Sequence, residues 1–332
     1  MQVWSADAPA PASHRRLTLQ PRERPTPRPD EILVRVTACG LCRTDLHLVE
    51  GDLEPRRPGV VPGHQVVGRV AIPDAATGRF DVGQRVGIAW LRGTCGACRW
   101  CRRGAENLCP ASLYTGWDVD GGFAEYAVAP ASFAYRLPKE YDDIAAAPLL
   151  CAGIIGYRAL RRALLPPGGR LGIYGFGSSG HLTAQIARAQ GADVYVMTRG
   201  EANRALAREM GATWVGSAHE SPPRLLDSAI VFAPAGDLVP PALAALDRGG
   251  TLALAGIHLS DVPSLNHQQH LFQERDLRTV TSNTRRDGEE LLRLAARLGV
   301  RARVTRYPFE RTADALADLA ADRLSGSAVV VL

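Results

Sequence analysis

Short runs in which apolar and polar residues alternate fill the first third of the chain, and proline and glycine separate them. Such runs predict strands, because successive side chains of a strand point to opposite faces of a sheet. The predicted strands are Glu31–Ala38, Val66–Ile72, Arg85–Ala89 and Phe123–Val128. We therefore expect a β-rich unit in this part of the chain.

The pattern changes at Asp142. The segment Asp143–Leu165 is rich in Ala and Leu and predicts a mostly helical stretch, which ends before the Pro-Pro-Gly-Gly sequence at 166–169. From Arg170 onward, apolar runs alternate with helical patterns. The runs predicted as strands are Leu171–Phe176, Val194–Met197, Ala229–Phe232 and Thr251–Ala255, and helices are expected after the first three, through Ala189, Met210 and Leu246. This alternation predicts a parallel sheet of the doubly wound type.

The last part of the chain predicts a helix at Glu289–Leu298 and then a helix followed by a strand within Ala313–Leu332. We expect the final strand to rejoin the N-terminal unit. A length of 332 residues also favours about two domains, because single hydrophobic cores rarely grow to this size.

The composition is that of a compact globular protein, with 46% hydrophobic and 22% charged residues. No stretch approaches the roughly 18 unbroken apolar residues of a membrane span, and Met1–Leu19 lacks a signal-peptide core, so we expect a cytoplasmic protein without membrane contact. The net charge of +5 is modest and the arginines are spread along the chain. We therefore expect no nucleic-acid partner, and the small cluster Arg99, Arg102 and Arg103 fits a solvated surface.

Seven cysteines, several at two-residue spacing, favour metal ligation or catalysis over a disulfide framework. Four of them have the spacing C-x2-C-x2-C-x7-C within Thr94–Pro110: Cys95, Cys98, Cys101 and Cys109. Four thiolates in so short a segment suit a tetrahedral zinc ion, and a filled coordination shell makes that zinc structural. An iron–sulfur cluster or plain buried thiols are the alternatives. The cluster is disfavoured because the last gap is too long and a second half is lacking.

A glycine-rich segment, Gly175-Phe176-Gly177-Ser178-Ser179-Gly180, lies between a predicted strand and a predicted helix. In this context it predicts a dinucleotide site: Gly175, Gly177 and Gly180 let the backbone approach a pyrophosphate, which rests on the helix N-terminus at Ser178 and Ser179.

The end of the next predicted strand indicates which dinucleotide is favoured. An NAD enzyme would place an Asp there, whereas this chain has Thr198 and Arg199. A hydroxyl and a fixed cation suit a 2′-phosphate, so we expect NADP(H) to be favoured over NAD(H). The alternative is that Arg199 points to solvent or stacks on adenine.

Several further segments are weak signals alone but follow one another in a familiar order. Together they resemble the zinc-dependent alcohol dehydrogenases of the medium-chain dehydrogenase/reductase family, and the resemblance covers nearly the whole chain. The segments are Ala38–His47 with Cys39 and Cys42, Gly63-His64-Gln65, the four-cysteine lobe, Gly122–Tyr126, Leu150–Gly153 with Cys151, and the glycine-rich turn.

The resemblance implies roles for individual residues. Cys42, His64 and Cys151 match the ligands of a catalytic zinc. Two thiolates and one neutral imidazole give the zinc site a net charge of zero and leave one coordination position open for alcohol. Thr44 matches the hydroxyl that takes the alcohol proton, and His47 matches the imidazole that passes it on through the cofactor ribose. Asp45 matches the carboxylate that orients His64. Cys39 has no ligand role in this pattern.

Two positions depart from the family pattern and two others suggest a substrate pocket. Gln65 replaces the usual Glu after the ligand histidine, which removes a negative charge near the metal and suggests a more electrophilic zinc. Ile155 replaces a frequent Thr beside the nicotinamide. Trp90 and Trp117 are candidates for an apolar pocket wall, and ordinary core positions are an equal alternative for both.

The resemblance implies an α/β protein with a GroES-like β-rich catalytic domain and a Rossmann domain. We expect the first at 1–150 and 288–332, with the zinc lobe at 94–110, and the second at 151–287. The expected activity is reversible hydride transfer between a primary or secondary alcohol and a nicotinamide cofactor, with two zinc ions per chain and a dimeric or tetrameric assembly. The alternatives are a zinc-independent quinone or enone reductase and a noncatalytic NADPH-binding sensor.

Overall fold

The computed structural model describes residues 1–6 and 17–332. Residues 7–16 lie outside the described residues. They are part of Met1–Leu19, the segment in which the sequence predicts no signal peptide. Internal contacts divide the chain into two compact units: the first is Met1–Cys151 with Ser282–Ala296 and Arg303–Leu332, and the second is Ala152–Thr281 with Arg297–Ala302. These units differ from the expected domain boundaries at Cys151, at 282–287 and at 297–302.

The strands in chain order are β1 (Gln2–Ala6), β2 (Leu17–Pro21), β3 (Glu31–Leu41), β4 (Gln65–Ile72), β5 (Arg85–Ile88), β6 (Leu91–Gly93), β7 (Leu113–Tyr114), β8 (Tyr126–Pro130), β9 (Ala134–Arg136), β10 (Arg170–Tyr174), β11 (Asp193–Met197), β12 (Trp214–Gly216), β13 (Leu226–Val231), β14 (Leu246–Leu254), β15 (Asp276–Thr279), β16 (Val304–Pro308) and β17 (Ser327–Val331). The α-helices are α1 (Arg43–Glu50), α2 (Arg99–Arg102), α3 (Asp143–Ala146), α4 (Ala152–Ala163), α5 (Ser178–Ala189), α6 (Glu201–Glu209), α7 (Val239–Ala244), α8 (Arg285–Leu298) and α9 (Thr312–Ala320). Short 3-10 turns lie at Glu106–Leu108, Ala131–Phe133, Ala147–Leu150, Gly236–Leu238 and Phe309–Arg311, and a π-helical turn at His267–Leu271.

The first unit is organised around β3. This strand pairs antiparallel with β4, β8 and β17, and the sheet continues from β4 to β5 and β9 and from β17 to β16. Most β3 side chains are buried, among them Ile32 and Val34, which pack in one core with Val66, Phe123 and Val330. Each such side chain contributes about 1.5–3 kcal/mol of burial free energy. The predicted return of the last strand to the N-terminal unit is confirmed by the pairing of β17 with β3.

The second unit contains a parallel sheet in the order β12-β11-β10-β13-β14-β15. Counted from β10, this is the order 3-2-1-4-5-6 of dinucleotide-binding folds. The central strands are buried on both faces: Leu171, Ile173, Val194 and Val196 are all fully buried. Helices cover such sheets on both sides, which explains why these strands are continuous apolar runs. The prediction of a doubly wound parallel sheet is confirmed.

Several predicted elements were wrong in extent, and three of them show why. The single helical stretch expected at Asp143–Leu165 is α3, a 3-10 turn and α4, with Cys151 in a non-helical conformation between the last two. The strand expected from Phe123 begins only at Tyr126, because the backbone of Phe123 is hydrogen-bonded to Trp4 and Pro62 instead. The helix expected to reach Leu246 ends two residues earlier and has only six residues.

Among the described residues, no single helix is both long enough and apolar enough to cross a membrane, although α3 and its 3-10 turn together with α4, bent by 41°, meet the length and composition requirement as a pair.

Candidate active site

The side chains of Cys42, His64 and Cys151 converge at one point of the first unit. Cys42 directly follows β3 and His64 directly precedes β4, and the pairing of these strands places Gly40 opposite Gln65. Nε2 of His64 lies 3.2 Å from Sγ of Cys42 and 3.3 Å from Sγ of Cys151. The three ligand atoms that the resemblance implied thus lie within 4.8 Å of one another.

Asp45, in the first turn of α1, connects two of these segments. Its Oδ1 accepts the backbone N–H of Gly63 at 3.0 Å and lies 3.1 Å from Nδ1 of His64, while its Oδ2 accepts the backbone N–H of Cys42 at 2.9 Å. Asp45 is 2% exposed. Because an ionised carboxylate only accepts hydrogen bonds, it holds the ring proton of His64 on Nδ1 and leaves the Nε2 lone pair towards the two sulfur atoms.

The charges of this group depend on one another. A hydrogen bond with Cys151 lowers the pKa of the Cys42 thiol well below its ordinary value, although burial opposes the shift. The same hydrogen bond, together with burial, raises the pKa of Cys151. Burial alone would lower the pKa of His64, but the negative charges of Asp45 and Cys42 outweigh it and raise that pKa. A divalent cation at this point would therefore compete with protons for all three atoms.

These donors fit a tetrahedral zinc ion with one open position. Zn–S distances near 2.3 Å and Zn–N distances near 2.0 Å separate neighbouring ligand atoms by about 3.5 Å. The two N–S distances, 3.2 and 3.3 Å, are close to that value. Among the described residues, no fourth His, Cys, Asp or Glu joins Cys42, His64 and Cys151 in this group. Three protein ligands are the number that catalytic zinc sites use.

The four cysteines of the lobe also come together, with their Sγ atoms within 4.8 Å of one another. Sγ of Cys95 lies 3.5 Å from that of Cys109, and Sγ of Cys98 lies 3.6 Å from that of Cys101. Two thiolates of a tetrahedral zinc site are about 3.8 Å apart. Backbone N–H groups of Ala97 and Cys98 lower the pKa of Cys95 to about 6, which favours the thiolate that a metal requires. Four sulfur ligands fit a closed, structural zinc.

The two residues that the resemblance assigns to a proton relay, Thr44 and His47, lie on α1. Thr44 and His47 are both buried and are three positions apart, which places them on one face of the helix. Nδ1 of His47 lies 2.8 Å from Oδ2 of Asp52, just beyond the end of the helix. Asp52 is absent from the sequence-based predictions, and its only signal in the sequence is its position directly after the Gly51 that ends α1.

An aromatic cluster lies beside His64, the candidate ligand histidine. The ring of Trp90 contacts that of His64 edge-on, with centroids 4.9 Å apart, and stacks on Tyr114 at 5.0 Å and Trp117 at 5.8 Å. The guanidinium of Arg56 covers the Trp117 ring at 3.8 Å. Trp90 is thus adjacent to the group formed by Cys42, His64 and Cys151, and Trp117 is one ring further away. The sequence does not predict Tyr114 and Arg56 as members of this cluster, because no spacing rule connects these chain segments.

Gln65 and Ile155, the two departures from the family pattern, have different environments. Gln65 is 1% exposed and lies against Gly40, where a β-carbon would be 2.8 Å from its Oε1. Its Nε2 has no hydrogen-bond partner among the described residues. Ile155 is half-buried on α4. A buried neutral amide therefore stands directly after His64.

The glycine-rich turn joins β10 to α5. Gly175 has a φ of 93°, which side chains rarely adopt, and a β-carbon there would lie 2.9 Å from a backbone nitrogen. A β-carbon on Gly180 would lie 2.6 Å from the carbonyl oxygen of Gly175. A β-carbon on Gly177 would have no atom of another described residue within 4 Å. Ser178 and Ser179 begin α5, so their N–H groups lie at the positive end of a helix.

Thr198 and Arg199 follow β11 and differ in exposure. Thr198 is 3% exposed, and its Oγ1 accepts the backbone N–H of Phe176 at 3.2 Å, so the hydroxyl supports the glycine-rich turn. Arg199 is exposed. The acid nearest to it along the chain, Glu201, lies 2.7 Å from Arg208 and 4.0 Å from Arg204. The end of β11 therefore combines an exposed cation with a carboxylate whose charge is offset.

Comparisons with known proteins agree with this architecture. Residues 28–139 match the family model of the alcohol dehydrogenase GroES-like domain, and residues 180–297 match that of the zinc-binding dehydrogenases. The chain is 56% identical over 337 aligned positions to a protein of Mycobacterium tuberculosis named "Probable alcohol dehydrogenase AdhA", with 100% of this chain and 97% of the relative covered.

Two solved structures extend the likeness to three dimensions. A cinnamyl alcohol dehydrogenase of Sorghum bicolor is 27% identical with a TM-score of 0.89, covering 99% of this chain and 97% of that one. A cobalt- and zinc-bound alcohol dehydrogenase of Pyrobaculum aerophilum is 25% identical with a TM-score of 0.89, covering 100% and 99%.

The GroES-like β-rich domain and the Rossmann sheet, together with the match to the zinc-binding dehydrogenase model, define a zinc-binding dehydrogenase, and hence an oxidoreductase. The chain belongs to the zinc-dependent alcohol dehydrogenases of the medium-chain dehydrogenase/reductase family. The predicted family, fold class and activity are confirmed by these matches.

Proposed function

We propose that this dehydrogenase interconverts small-molecule alcohols and their aldehydes or ketones, with Cys42, His64 and Cys151 holding the catalytic zinc. The observation that carries the proposal is the convergence of these three ligand atoms around a histidine whose tautomer Asp45 fixes. A zinc ion bound there would act as a Lewis acid that lowers the pKa of an alcohol.

The chain's own groups then hold and move the proton. Thr44 has a hydroxyl that both accepts and donates, so it takes the alcohol proton and passes it on. His47, on the same face of α1, carries it towards solvent. Asp45 takes no part in the transfer and keeps the Nε2 lone pair of His64 available.

We propose a second zinc in the lobe, where Cys95, Cys98, Cys101 and Cys109 supply four sulfur ligands. This site has no chemical role, because all four positions are taken by protein. Its contribution is to the folding free energy of the lobe, whose helix α2 has only four residues and no buried side chains. The proposed content is thus two zinc ions per chain.

For the cofactor we propose NADP(H) in preference to NAD(H), bound by the turn at Gly175, Gly177, Ser178, Ser179 and Gly180. The support for the preference is the exposed Arg199 at the end of β11, together with the offset charge of Glu201. Thr198 contributes indirectly, because its hydroxyl is bonded to the turn. A carboxylate in place of this cation would repel a 2′-phosphate.

The aromatic cluster of Trp90, Tyr114 and Trp117 supports an apolar substrate. Its first ring lies directly against the ligand His64, so a substrate near the metal would meet aromatic surface on that side. We propose aliphatic and aromatic alcohols as substrates over charged sugars. The structural relative from Sorghum bicolor is named for an aromatic alcohol of this type.

Two other expectations stay predictions. Assembly into a homo-dimer or homo-tetramer rests on the family resemblance alone. The cytoplasmic location rests on the composition of the chain.

The proposal is tested by a substrate panel on zinc-replete protein, with NADP⁺ and NAD⁺ in parallel. We expect turnover of aliphatic and aromatic alcohols, little turnover of sugar alcohols, and a higher kcat/KM for NADP⁺. Reduction of activated C=C bonds without alcohol turnover would favour an enone reductase instead. Binding of NADPH without turnover of any alcohol would favour a noncatalytic sensor.

A further inference from the structure

The guanidinium of Arg56 lies over an aromatic ring and is anchored by a carboxylate. Its central carbon is 3.8 Å from the centroid of the Trp117 ring. Its Nη1 donates to Oδ1 of Asp118 at 2.7 Å, and the side chains of Arg56 and Asp118 are 46% and 10% exposed. A guanidinium can make both contacts at once, because its N–H groups point outward in its own plane and leave its faces free for the ring.

The Trp117 ring is held by further contacts of the same two chain segments. Its Nε1 donates to the carbonyl oxygen of Glu54 at 2.8 Å, in the segment that carries Arg56. Asp118 closes the segment that carries the ring, because its Oδ2 accepts the backbone N–H of Tyr114 at 2.8 Å. The indole is therefore fixed both at its N–H edge and over its face.

This indole is the outer member of the aromatic cluster beside His64. The planes of Trp117 and Trp90 are 11° apart with centroids separated by 5.8 Å, and the ring of Trp90 contacts that of His64 at 4.9 Å. Trp117 is thus two ring contacts from His64. Ethanol bound beside His64 is too short to reach Trp117, whereas an alcohol that carries an aromatic ring is long enough.

Three arginines near this end of the cluster each have a carboxylate partner. Arg56 is paired with Asp118, and Asp120 lies 3.4 Å from Arg22 and 3.5 Å from Arg57. A guanidinium that is already paired with a carboxylate gains little from a second anion, because its charge is offset. The position of Arg56 over the ring therefore indicates a role in ring orientation and not in the capture of an anionic substrate.

We propose that Arg56, anchored by Asp118, is a positioning residue that sets substrate specificity. It holds the Trp117 ring nearly parallel to that of Trp90, and the fixed ring favours alcohols that carry a planar aromatic group. This inference rests on the proposed function, since it concerns the substrate of the same site. Arg56 acts through Trp117 and takes no part in metal binding or proton transfer.

Preorganisation is the physical reason for the selectivity. An indole that is already fixed loses little rotamer freedom when a substrate ring packs on it, so the contact contributes fully to binding. Without the guanidinium the indole regains that freedom, and only substrates that touch it lose affinity. Loss of one aromatic contact corresponds to at most about tenfold in binding.

The first test is steady-state oxidation of cinnamyl alcohol, its ring-saturated analogue and ethanol by the zinc-replete full chain. Arg56→Met keeps the aliphatic length of the side chain and removes the guanidinium. We expect kcat/KM for cinnamyl alcohol to fall about tenfold, mainly through KM, and that for ethanol to change little. The preference for cinnamyl alcohol over its ring-saturated analogue should fall as well, because the saturated ring is not planar.

Arg57→Met is the matched control. Arg57 is the next residue along the chain, its side chain is 43% exposed, and it pairs with a carboxylate as Arg56 does. The control should leave the ratios between the three substrates equal to those of the wild type. A cinnamyl alcohol with a carboxylate on its ring is the fourth substrate, and we expect Arg56→Met to affect it as it affects cinnamyl alcohol itself.

The second test is spectroscopic and needs no turnover. Two indoles stacked as Trp90 and Trp117 are give an exciton couplet in the circular dichroism spectrum, and Trp117→Phe assigns it by abolishing it. We expect the couplet to weaken in Arg56→Met and to keep its wild-type amplitude in Arg57→Met.

Three results would overturn the inference: equal losses for ethanol and cinnamyl alcohol or no loss for either in Arg56→Met, a loss confined to the carboxylated substrate, or an unchanged couplet. None of them would affect the proposed function, which fails only if the wild-type protein itself shows no zinc-dependent alcohol turnover.

Discussion

His64 is constrained on each side by a different kind of contact. Asp45 lies at hydrogen-bond distance from Nδ1, the two thiols lie near Nε2, and the rings of Trp90 and His64 meet edge-on with centroids 4.9 Å apart. A ring held in this way loses little rotational freedom when it binds a metal, so the site is preorganised. Preorganisation of this kind favours tight binding at one position over loose binding at several.

The site residues differ in how well the sequence could predict them. Cys42, His64 and Cys151 were inferred because their order along the chain matches a family pattern. The contact of Asp52 with His47 depends on how the chain turns after α1, and the stack of Trp90 on Tyr114 depends on the pairing of β6 with β7. Contacts of this kind arise from tertiary packing, which residue order alone does not encode.

At the residue scale, Arg199→Ala should raise the KM for NADP⁺ about tenfold or more and change that for NAD⁺ little. A hydrogen bond to a charged group contributes about 1.5–3 kcal/mol, and only NADP⁺ carries the 2′-phosphate that Arg199 would bind. Steady-state kinetics with both cofactors measure the split. Arg248→Ala removes another exposed arginine of the same unit and should leave both KM values unchanged. Equal effects of Arg199→Ala on the two cofactors would contradict the assignment.

Among the secondary-structure elements, α8 shows how distant segments support the zinc lobe. The backbone N–H of Arg285 donates to Oε1 of Glu106 at 2.7 Å, and its guanidinium donates to Oε2 at 2.8 Å. Glu106 lies in the 3-10 turn between the third and fourth lobe cysteines. The start of α8 is therefore tied to the lobe by a bidentate ion pair, which is the strongest geometry for such a contact.

Elements were predictable where hydrophobic periodicity was strong. The buried strands β10, β11 and β13 were recognised, whereas the edge strand β15 was not, because most of its side chains are exposed and it has no apolar pattern. The break before Cys151 was also missed. An Ala- and Leu-rich sequence favours a continuous helix, and the 3-10 turn at Ala147–Leu150 interrupts it in the tertiary structure.

At this scale, Glu106→Gln should lower the free energy of unfolding by about 1–2 kcal/mol at pH 7, after allowance for the partly exposed Arg285. Burial raises the pKa of Glu106, but the hydrogen bonds from Arg285 outweigh it, and the pKa lies below its ordinary value of 4.5. The contribution is therefore fully present above pH 4.5 and is lost as the pH falls through the lowered pKa.

Chemical denaturation of Glu106→Gln and wild type over a range of pH measures this difference. The gap between the two proteins should close on the acid side and stay constant near neutrality. Glu23→Gln, at an exposed position, is the control and should match the wild type throughout. A gap that widens as the pH falls would contradict the assigned ion pair.

On the scale of the whole molecule, both ends of the chain belong to the first unit. The last strand, β17, pairs with β3, whose end carries Cys42. The first unit therefore needs its C-terminal segment before the sheet beside the proposed metal ligands is complete. This interleaving was predictable in outline from the order of the elements, whereas the assignment of 282–287 and 297–302 depends on contacts that only the folded chain defines.

The central claim is that the chain holds two zinc sites with separate ligand sets, one catalytic and one structural. Zinc content per chain, measured by mass spectrometry of the metal in wild type, Cys42→Ser and Cys101→Ser alongside alcohol turnover, tests it directly. We predict two zinc ions in the wild type and one in each variant, with turnover abolished and the fold retained in Cys42→Ser. Two zinc ions or full alcohol turnover in Cys42→Ser would contradict the account.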